Sequence, residues 1–424
     1  MRNKVKYSIL TIVILLLPGW WLFAGNANDR LVLNSVIELI KKIYVKDVGD
    51  KQLVEAAISG MLTSLDPHSS FLNEKEFEEI QSSTKGEFGG IGVEIMVESP
   101  GLKVITPIDD TPAFKAGVKP GDLIFAINDE LIANMTANEA ISKMRGAKNT
   151  KVKISIFREG KSEPIELAIS RDIIKANPVK YHLYGDYAYI RVASFSEQTA
   201  DGVKKAIFSL KKEIGKKEIQ GYVLDLRNNP GGVLKQAAYV TDIFLNEGVI
   251  VSTKDRDGNE QMVFRASSNA TVKDVPLVVL INNGSASASE IVAGALQDHK
   301  RALIVGTKSF GKGSVQTVIS LPGYGAIKIT TALYYTPSGR SIQAEGIVPD
   351  VIVDQGRVEF PKDNKKYQYS ESSLRNHLEN KTRNDSENIK ENSKAEFWAK
   401  LYEQDYQLAR SIDILKSLIL LKKW

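Results

Sequence analysis

Residues 282–316 constrain the fold of this chain more than any other stretch. An apolar run, Leu277–Ile281, leads into Asn282-Asn-Gly-Ser-Ala-Ser-Ala-Ser-Glu290, a cluster of small residues that reads as a tight turn bearing serines. Helical spacing follows from Glu290, and a second apolar run covers residues 302–305. A lysine between two glycines then closes the stretch in Phe310-Gly-Lys-Gly-Ser-Val-Gln316. Strand, turn, helix, strand and lysine in that order predict one unit of a largely parallel α/β sheet. Such sheets carry their working groups on loops at the carboxyl ends of strands.

The surrounding residues extend the pattern. Residues 187–192 and 222–226 read as strands, residues 198–212 as a helix with Val203, Ala206, Ile207 and Leu210 on one face, and residues 234–244 as another helix. Between them lies the loop Arg227-Asn-Asn-Pro-Gly-Gly232. Residues 173–355 are therefore expected to form one α/β domain.

Residues 306–312, Gly-Thr-Lys-Ser-Phe-Gly-Lys, imitate a phosphate-binding loop. That loop needs Ser or Thr after the lysine and then a helix whose N-terminus faces the phosphates. Gly313 holds the first position and an alternating, strand-like pattern follows, so a nucleotide site is not expected. A serine nucleophile with a lysine base fits better. Burial disfavours the ammonium form, and a lysine kept neutral can take the serine's proton. Lys312 sits on an apolar, glycine-flanked segment, and in an extended chain Lys312, Ser314 and Gln316 share one face, so Gln316 is placed to orient the amine. Ser285, Ser287 and Ser289 are all candidates for the nucleophile. The N–H after the nucleophile and the glycines at 231 and 232 are candidate oxyanion donors. Ser287-Ala-Ser-Glu290 also fits a capping box, so local chemistry leaves both the choice of serine and a mere helix cap open.

Upstream, residues 86–172 alternate Gly-rich turns with short β runs at 92–97, 102–105, 123–127, 152–158 and 165–170. Short helical pieces fall near 112–116 and 137–144. Gly89-Gly-Ile-Gly-Val93, and Ala116-Gly-Val-Lys-Pro-Gly-Asp-Leu-Ile124 followed by Ile127-Asn128, resemble a PDZ domain. A Gly-rich turn before a strand offers consecutive backbone N–H groups to a terminal carboxylate, and the sheet edge can add the peptide as a strand. Gly90, Ile91, Gly92 and Val93 are the peptide-binding candidates.

The termini are different again. Arg2, Lys4 and Lys6 precede a nearly uncharged apolar run over residues 8–24, and Ala24-Gly-Asn-Ala27 offers small residues for cleavage. Residues 1–27 are thus read as a cleaved signal or an uncleaved membrane anchor, with the remainder exported to the periplasm or held on the membrane's outer side. Residues 28–85 carry apolar stripes at helical spacing (Leu33, Val36, Ile37, Ile40; Leu53, Ala56, Ala57, Met61) that need a covering surface in this chain or a partner. In residues 356–424 a charged linker at 362–393 precedes a helix with Trp398, Leu401, Leu408, Ile412 and Leu415 on its apolar side. This helix is expected to dock on another element or another chain. The two apolar terminal regions together suggest a homodimer.

Composition removes whole classes. Absent cysteine excludes disulfides, thiolate metal sites and a cysteine nucleophile. The histidines, His68, His182, His299 and His377, have no metal-ligand spacing, so neither metal nor organic cofactor is expected. A net charge of +5 spread along the chain gives no basic stripe for nucleic acid. His68, beside the Asp66-Pro67 turn, reads as structural.

The motifs together resemble the carboxyl-terminal processing (tail-specific) proteases. They are Leu65-Asp-Pro-His-Ser69, Asp225-Leu-Arg-Asn-Asn-Pro-Gly-Gly232, Ser285-Ala-Ser-Ala-Ser-Glu-Ile291, Ala295-Leu-Gln-Asp298, Phe310-Gly-Lys-Gly-Ser-Val-Gln316, Tyr335-Thr-Pro-Ser-Gly-Arg-Ser-Ile-Gln343 and Gly346-Ile-Val-Pro-Asp350. The resemblance implies a multidomain α/β protein, with a PDZ domain before a crotonase/Clp-protease-like core and helical N- and C-terminal segments. It implies Ser287 as nucleophile, Lys312 as base and Gln316 as its orienting partner. With them come oxyanion donors at Ala288, Gly231 and Gly232, and a PDZ domain that takes the substrate's C-terminus and gates the site. A non-catalytic exported PDZ scaffold and a Ser-His-Asp hydrolase using His299 are the competing readings.

Overall fold

The computed structural model describes residues 29–108, 110–175, 177–356, 358–359, 371, 374–376, 378 and 397–422. The apolar run at 8–24, its cleavage region, His377 and almost all of the linker at 362–393 lie outside them.

The core is built on a six-stranded sheet in the order Val179–Tyr184, Tyr187–Val192, Gly221–Asp225, Leu277–Ile281, Leu303–Gly306 and Val351–Ile352. The first pair is antiparallel and the remaining pairs are parallel. Gly221–Asp225 and Leu277–Ile281 are buried at every position, as expected of apolar central parallel strands, and the one charged residue among them, Asp225, is paired with Arg227. Helices Thr199–Ile214, Leu234–Asp242 and Ala288–Asp298 pack on one face. The C-terminal helix Tyr406–Lys422 covers the other, setting Leu408, Ile412 and Leu415 against Val223, Val278, Leu280 and Val305. The expected C-terminal helix thus docks on its own chain.

A second, antiparallel sheet runs Ser70–Leu72, Gly325–Tyr335, Val249–Lys254, Glu260–Arg265, with Ser314–Leu321 also paired to Gly325–Tyr335. It brings the N-terminal motif, the lysine segment and the Tyr335 motif into one layer.

The PDZ segment forms its own sheet, Val93–Glu98, Gly101–Pro107, Leu123–Ile127, Lys151–Phe157 and Ile165–Ser170, with helices Pro112–Lys115 and Ala137–Met144. Its core is separate (Ile91, Leu102, Val104, Ile124, Ile127, Ile154, Ile156). Val93–Glu98 is an edge strand, as peptide addition needs. The chain enters and leaves this domain through Glu87–Gly90 and Asp172–Lys175, which pair with each other as a two-stranded ribbon.

The N-terminal stripe is only partly covered. In helix Asp29–Ile43, Leu33 and Val36 are exposed, as are Leu39 and Ile43 beside them, while Ile37 and Ile40 are half-buried, so the described residues leave much of that face open.

Candidate active site

Two loops at the carboxyl ends of neighbouring parallel strands meet to make the site. One follows Gly221–Asp225 and the other follows Leu277–Ile281. They are joined by a reciprocal amide pair: Asn228 N–H donates to Asn282 Oδ1 at 2.8 Å, and Asn282 Nδ2 donates to Asn228 Oδ1 at 2.9 Å.

The serines separate by what their hydroxyls already do. Ser285 is fully buried, and its Oγ donates to Leu226 O at 2.8 Å. Ser289 is also fully buried and donates to Asn229 O at 2.9 Å. Both stitch the serine turn to the neighbouring loop. Ser287 is partly exposed, stands at φ 56° immediately before helix Ala288–Asp298, and its Oγ makes no cap hydrogen bond. A left-handed backbone is costly for a serine and is tolerated where surroundings enforce it, as at a nucleophile elbow. The helix cap is supplied instead by Glu290, whose Oε2 accepts the Ser287 N–H at 2.8 Å.

Glu290, which the sequence pattern offered only as a cap, proves to be the centre of the site. It is fully buried, and its two oxygens take four donors. Oε2 accepts from the N–H groups of Ser287 and Lys312 (2.8 and 2.9 Å), and Oε1 accepts from Gly311 N–H and Ser309 Oγ (both 2.6 Å). One carboxylate oxygen therefore holds the backbones of the serine and the lysine together. Burial pushes the Glu290 carboxyl above the usual range, although all four donors pull it down.

The glycines around Lys312 are required by packing. A Cβ on Gly313 would come 2.5 Å from Gln343 N, and Gly311, at φ 93°, lies against Ala344 and Gly346. Gly313 N–H donates to Gln343 Oε1 at 2.9 Å. Lys312 is half-buried. Burial first, then the nearby Lys328, lower its pKa below the ordinary 10.5, while Asp66 and Glu290 oppose them. Its Nζ hydrogen-bonds to no described residue. Gln316 shares a face with Ser314, donating to Ser314 Oγ at 3.0 Å and to Thr330 Oγ1 at 3.2 Å, but it does not reach Lys312. The strand begins only at Ser314, so Lys312 stands outside the regular alternation.

The Asp66 turn reaches this centre from far away in sequence. Asp66 accepts from the N–H groups of His68 and Ser69 and from Ser69 Oγ, and Ser69 Oγ in turn accepts from Thr330 N–H. His68 lies near Lys312; burial first, then the lysine's charge, lower its pKa.

Of the oxyanion candidates, the N–H of Gly231 is taken by Asn229 Oδ1 at 2.9 Å. The N–H groups of Gly232 and Ala288 have no partner among the described residues. Gly231, at φ 97°, allows the loops to touch, since a Cβ there would lie 2.8 Å from Ser287 Cβ. In the PDZ turn, Gly92 at φ 79° packs on Thr111, and the carbonyls of Ile91 and Gly92 are bound by Ala113 and Ile108 N–H. His299 lies at the far end of helix Ala288–Asp298 with Nε2 2.7 Å from Val249 O, so it is not brought to Ser287.

A strained serine in the loop after a parallel strand, held with a half-buried lysine on one buried carboxylate and preceded by a PDZ sheet, is an arrangement that fits a PDZ-containing serine peptidase. Comparison with known proteins agrees. Residues 186–353 match Peptidase family S41, residues 89–169 the PDZ domain, and residues 27–76 the activating protease CtpB N-terminal domain. The carboxy-terminal-processing protease of Bartonella bacilliformis is 50% identical over 349 residues, covering 82% of this chain and 80% of that one. The carboxyl-terminal-processing protease of Synechocystis sp. is 37% identical and covers 82% of each. A solved photosystem II D1 C-terminal processing protease is 28% identical, with a TM-score of 0.48, over 77% of this chain and 93% of that one. The chain belongs to the carboxy-terminal-processing proteases, serine peptidases of family S41.

Proposed function

We propose that the chain is an exported endopeptidase that cleaves proteins near their C-termini with Ser287 as nucleophile and Lys312 as base. Neutral Lys312 Nζ takes the Ser287 proton as Oγ attacks the scissile carbonyl. The N–H groups of Ala288 and Gly232 receive the oxyanion, and the lysine returns the proton to the departing amine. Water then hydrolyses the Ser287 ester. The observation that carries this reading is the sorting of the serines: two hydroxyls are buried in structural hydrogen bonds, and the third is reachable and uncommitted.

Because Lys312 Nζ has no hydrogen-bond partner among the described residues, the lysine side chain turns toward Ser287 for the reaction, with Gln316 orienting it there. The PDZ domain takes the substrate's C-terminal carboxylate at residues 90–93 and gates this step. A physical route supports gating. At the base of the ribbon, Thr84 O accepts the Glu197 N–H and Lys85 O accepts from Gln198 Nε2, while Gly86 packs on Ser196. The next residue back, Phe195, bridges to Gly232 of the oxyanion loop. Export rests on the composition of residues 1–27.

The test is incubation of wild type and Ser287→Ala with an unfolded protein and with peptides differing only at the C-terminus, read by mass spectrometry. Ser287→Ala should bind and not cleave; cleavage at the wild-type rate by that variant would end this reading. A scaffold without activity would show binding and no cleavage by either protein.

A further inference from the structure

The long strand Gly325–Tyr335 runs beside the lysine segment, and Tyr334 N–H donates to Gly313 O at 2.9 Å. The Tyr334 side chain turns inward and is 1% exposed in the core that includes helix Ala288–Asp298. Among the described residues its hydroxyl is the buried side-chain polar atom that has no hydrogen-bond partner. Its polar neighbours are Ser287 and Glu290: it lies close enough to Ser287 to interact with it, but outside hydrogen-bonding geometry.

A phenylalanine would fill the same space. A buried hydroxyl left unpaired costs stability, so this one calls for an explanation beyond packing. The Glu290 oxygens are already occupied by four donors. The acceptor that remains is Ser287 Oγ. Burial, with the Glu290 carboxylate beside it, raises the phenol's pKa well above 10, so the group stays a neutral donor and is no base.

We propose that the Tyr334 hydroxyl donates a hydrogen bond to Ser287 Oγ as that oxygen loses its proton, holding Oγ on the line of attack from the side opposite the substrate. The serine proton goes to Lys312; the phenol keeps its own. The inference rests on Ser287 being the nucleophile.

The experiment compares wild type, Tyr334→Phe and Ser287→Ala in full-length protein. It measures Tm, kcat and KM on a C-terminal peptide substrate, and the rate of labelling by a fluorophosphonate probe. Tyr334→Phe should keep or raise Tm and leave KM unchanged. Its kcat and labelling rate should both fall roughly 10- to 100-fold, the range of a hydrogen bond to a developing charge. Its acid limb in the pH–rate profile should not move, because Lys312 is untouched. A folded Tyr334→Phe that labels and turns over at or above the wild-type rate overturns the proposal. So does a loss of rate that only tracks a fall in Tm. Labelling of Ser287→Ala at the wild-type rate would overturn the nucleophile assignment itself, whatever Tyr334→Phe does.

Discussion

Glu290→Gln isolates the carboxylate that joins the Ser287 and Lys312 backbones, the proposed nucleophile and base. The change keeps size and one acceptor oxygen but replaces the other oxygen by an amide NH2. With the NH2 on the Oε2 side, the N–H groups of Ser287 and Lys312 both face a donor, and neither can turn away. With it on the Oε1 side, Ser309 Oγ, which already accepts the Ile347 N–H, can turn to accept, and the Gly311 N–H and the Ser309 hydroxyl proton both lose their acceptor. The second arrangement should win. Its cost is the loss of that acceptor by two buried donors, about 1–3 kcal/mol for each left unsatisfied, plus weakening of the bonds that the charge had strengthened. Relief of the buried charge offsets part of this, so the protein should fold with a modestly lower Tm. Activity should suffer far more. Moving Gly311 moves Lys312, and a displacement of about 1 Å at a reacting group is worth roughly 100-fold in rate. The assay is kcat and KM on a C-terminal peptide beside thermal unfolding. KM should stay near wild type, because the PDZ turn does not touch Glu290. A folded Glu290→Gln with wild-type kcat would refute the claim that this carboxylate positions the lysine.

Two further outcomes are expected. Activity should rise with pH as Lys312 deprotonates, through a limb below the ordinary lysine value. Lys328 repels the ammonium, whereas Asp66 and Glu290 hold it. Asp66→Asn keeps an acceptor for the turn but removes an anion, so the limb should shift to lower pH; a limb that stays or moves upward counts against this electrostatic account. We propose that the exposed face of helix Asp29–Ile43 is a contact between two copies of the chain. Light scattering should give a dimer that Leu39→Glu with Ile43→Glu converts to monomer, and an unchanged mass would remove that helix from the interface.

Much of the architecture was legible because it is local. Alternating and helical spacings located the PDZ strands, the parallel core strands and the face of helix Thr199–Ile214, whose Val203, Ala206, Ile207 and Leu210 are all buried. The hairpin Val249–Lys254 with Glu260–Arg265 escaped, since its second strand is almost wholly exposed and carries no apolar periodicity. The residue types of the site were also readable, but their sorting was not. Ser287 differs from Ser285 and Ser289 only through carbonyls at Leu226 and Asn229, about sixty residues away in sequence. The Gly231 donor was expected and proves committed to Asn229. Asp66 and Tyr334 reach the centre through sheet pairings that no local pattern encodes. His68 read as structural from its turn, and only the sheet pairing of Ser70 with Lys328 brings it near the lysine.

The paired strands Glu87–Gly90 and Asp172–Lys175 have a consequence for inheritance. Because the chain leaves and returns on adjacent strands, the two ends of the inserted segment stand about one ladder spacing apart, roughly 4.8 Å. A different small domain with similarly close termini would fit the same socket without disturbing the fold beneath. The inserted domain is thus exchangeable as a cassette, while the sheets that carry Ser287 and Lys312 stay fixed.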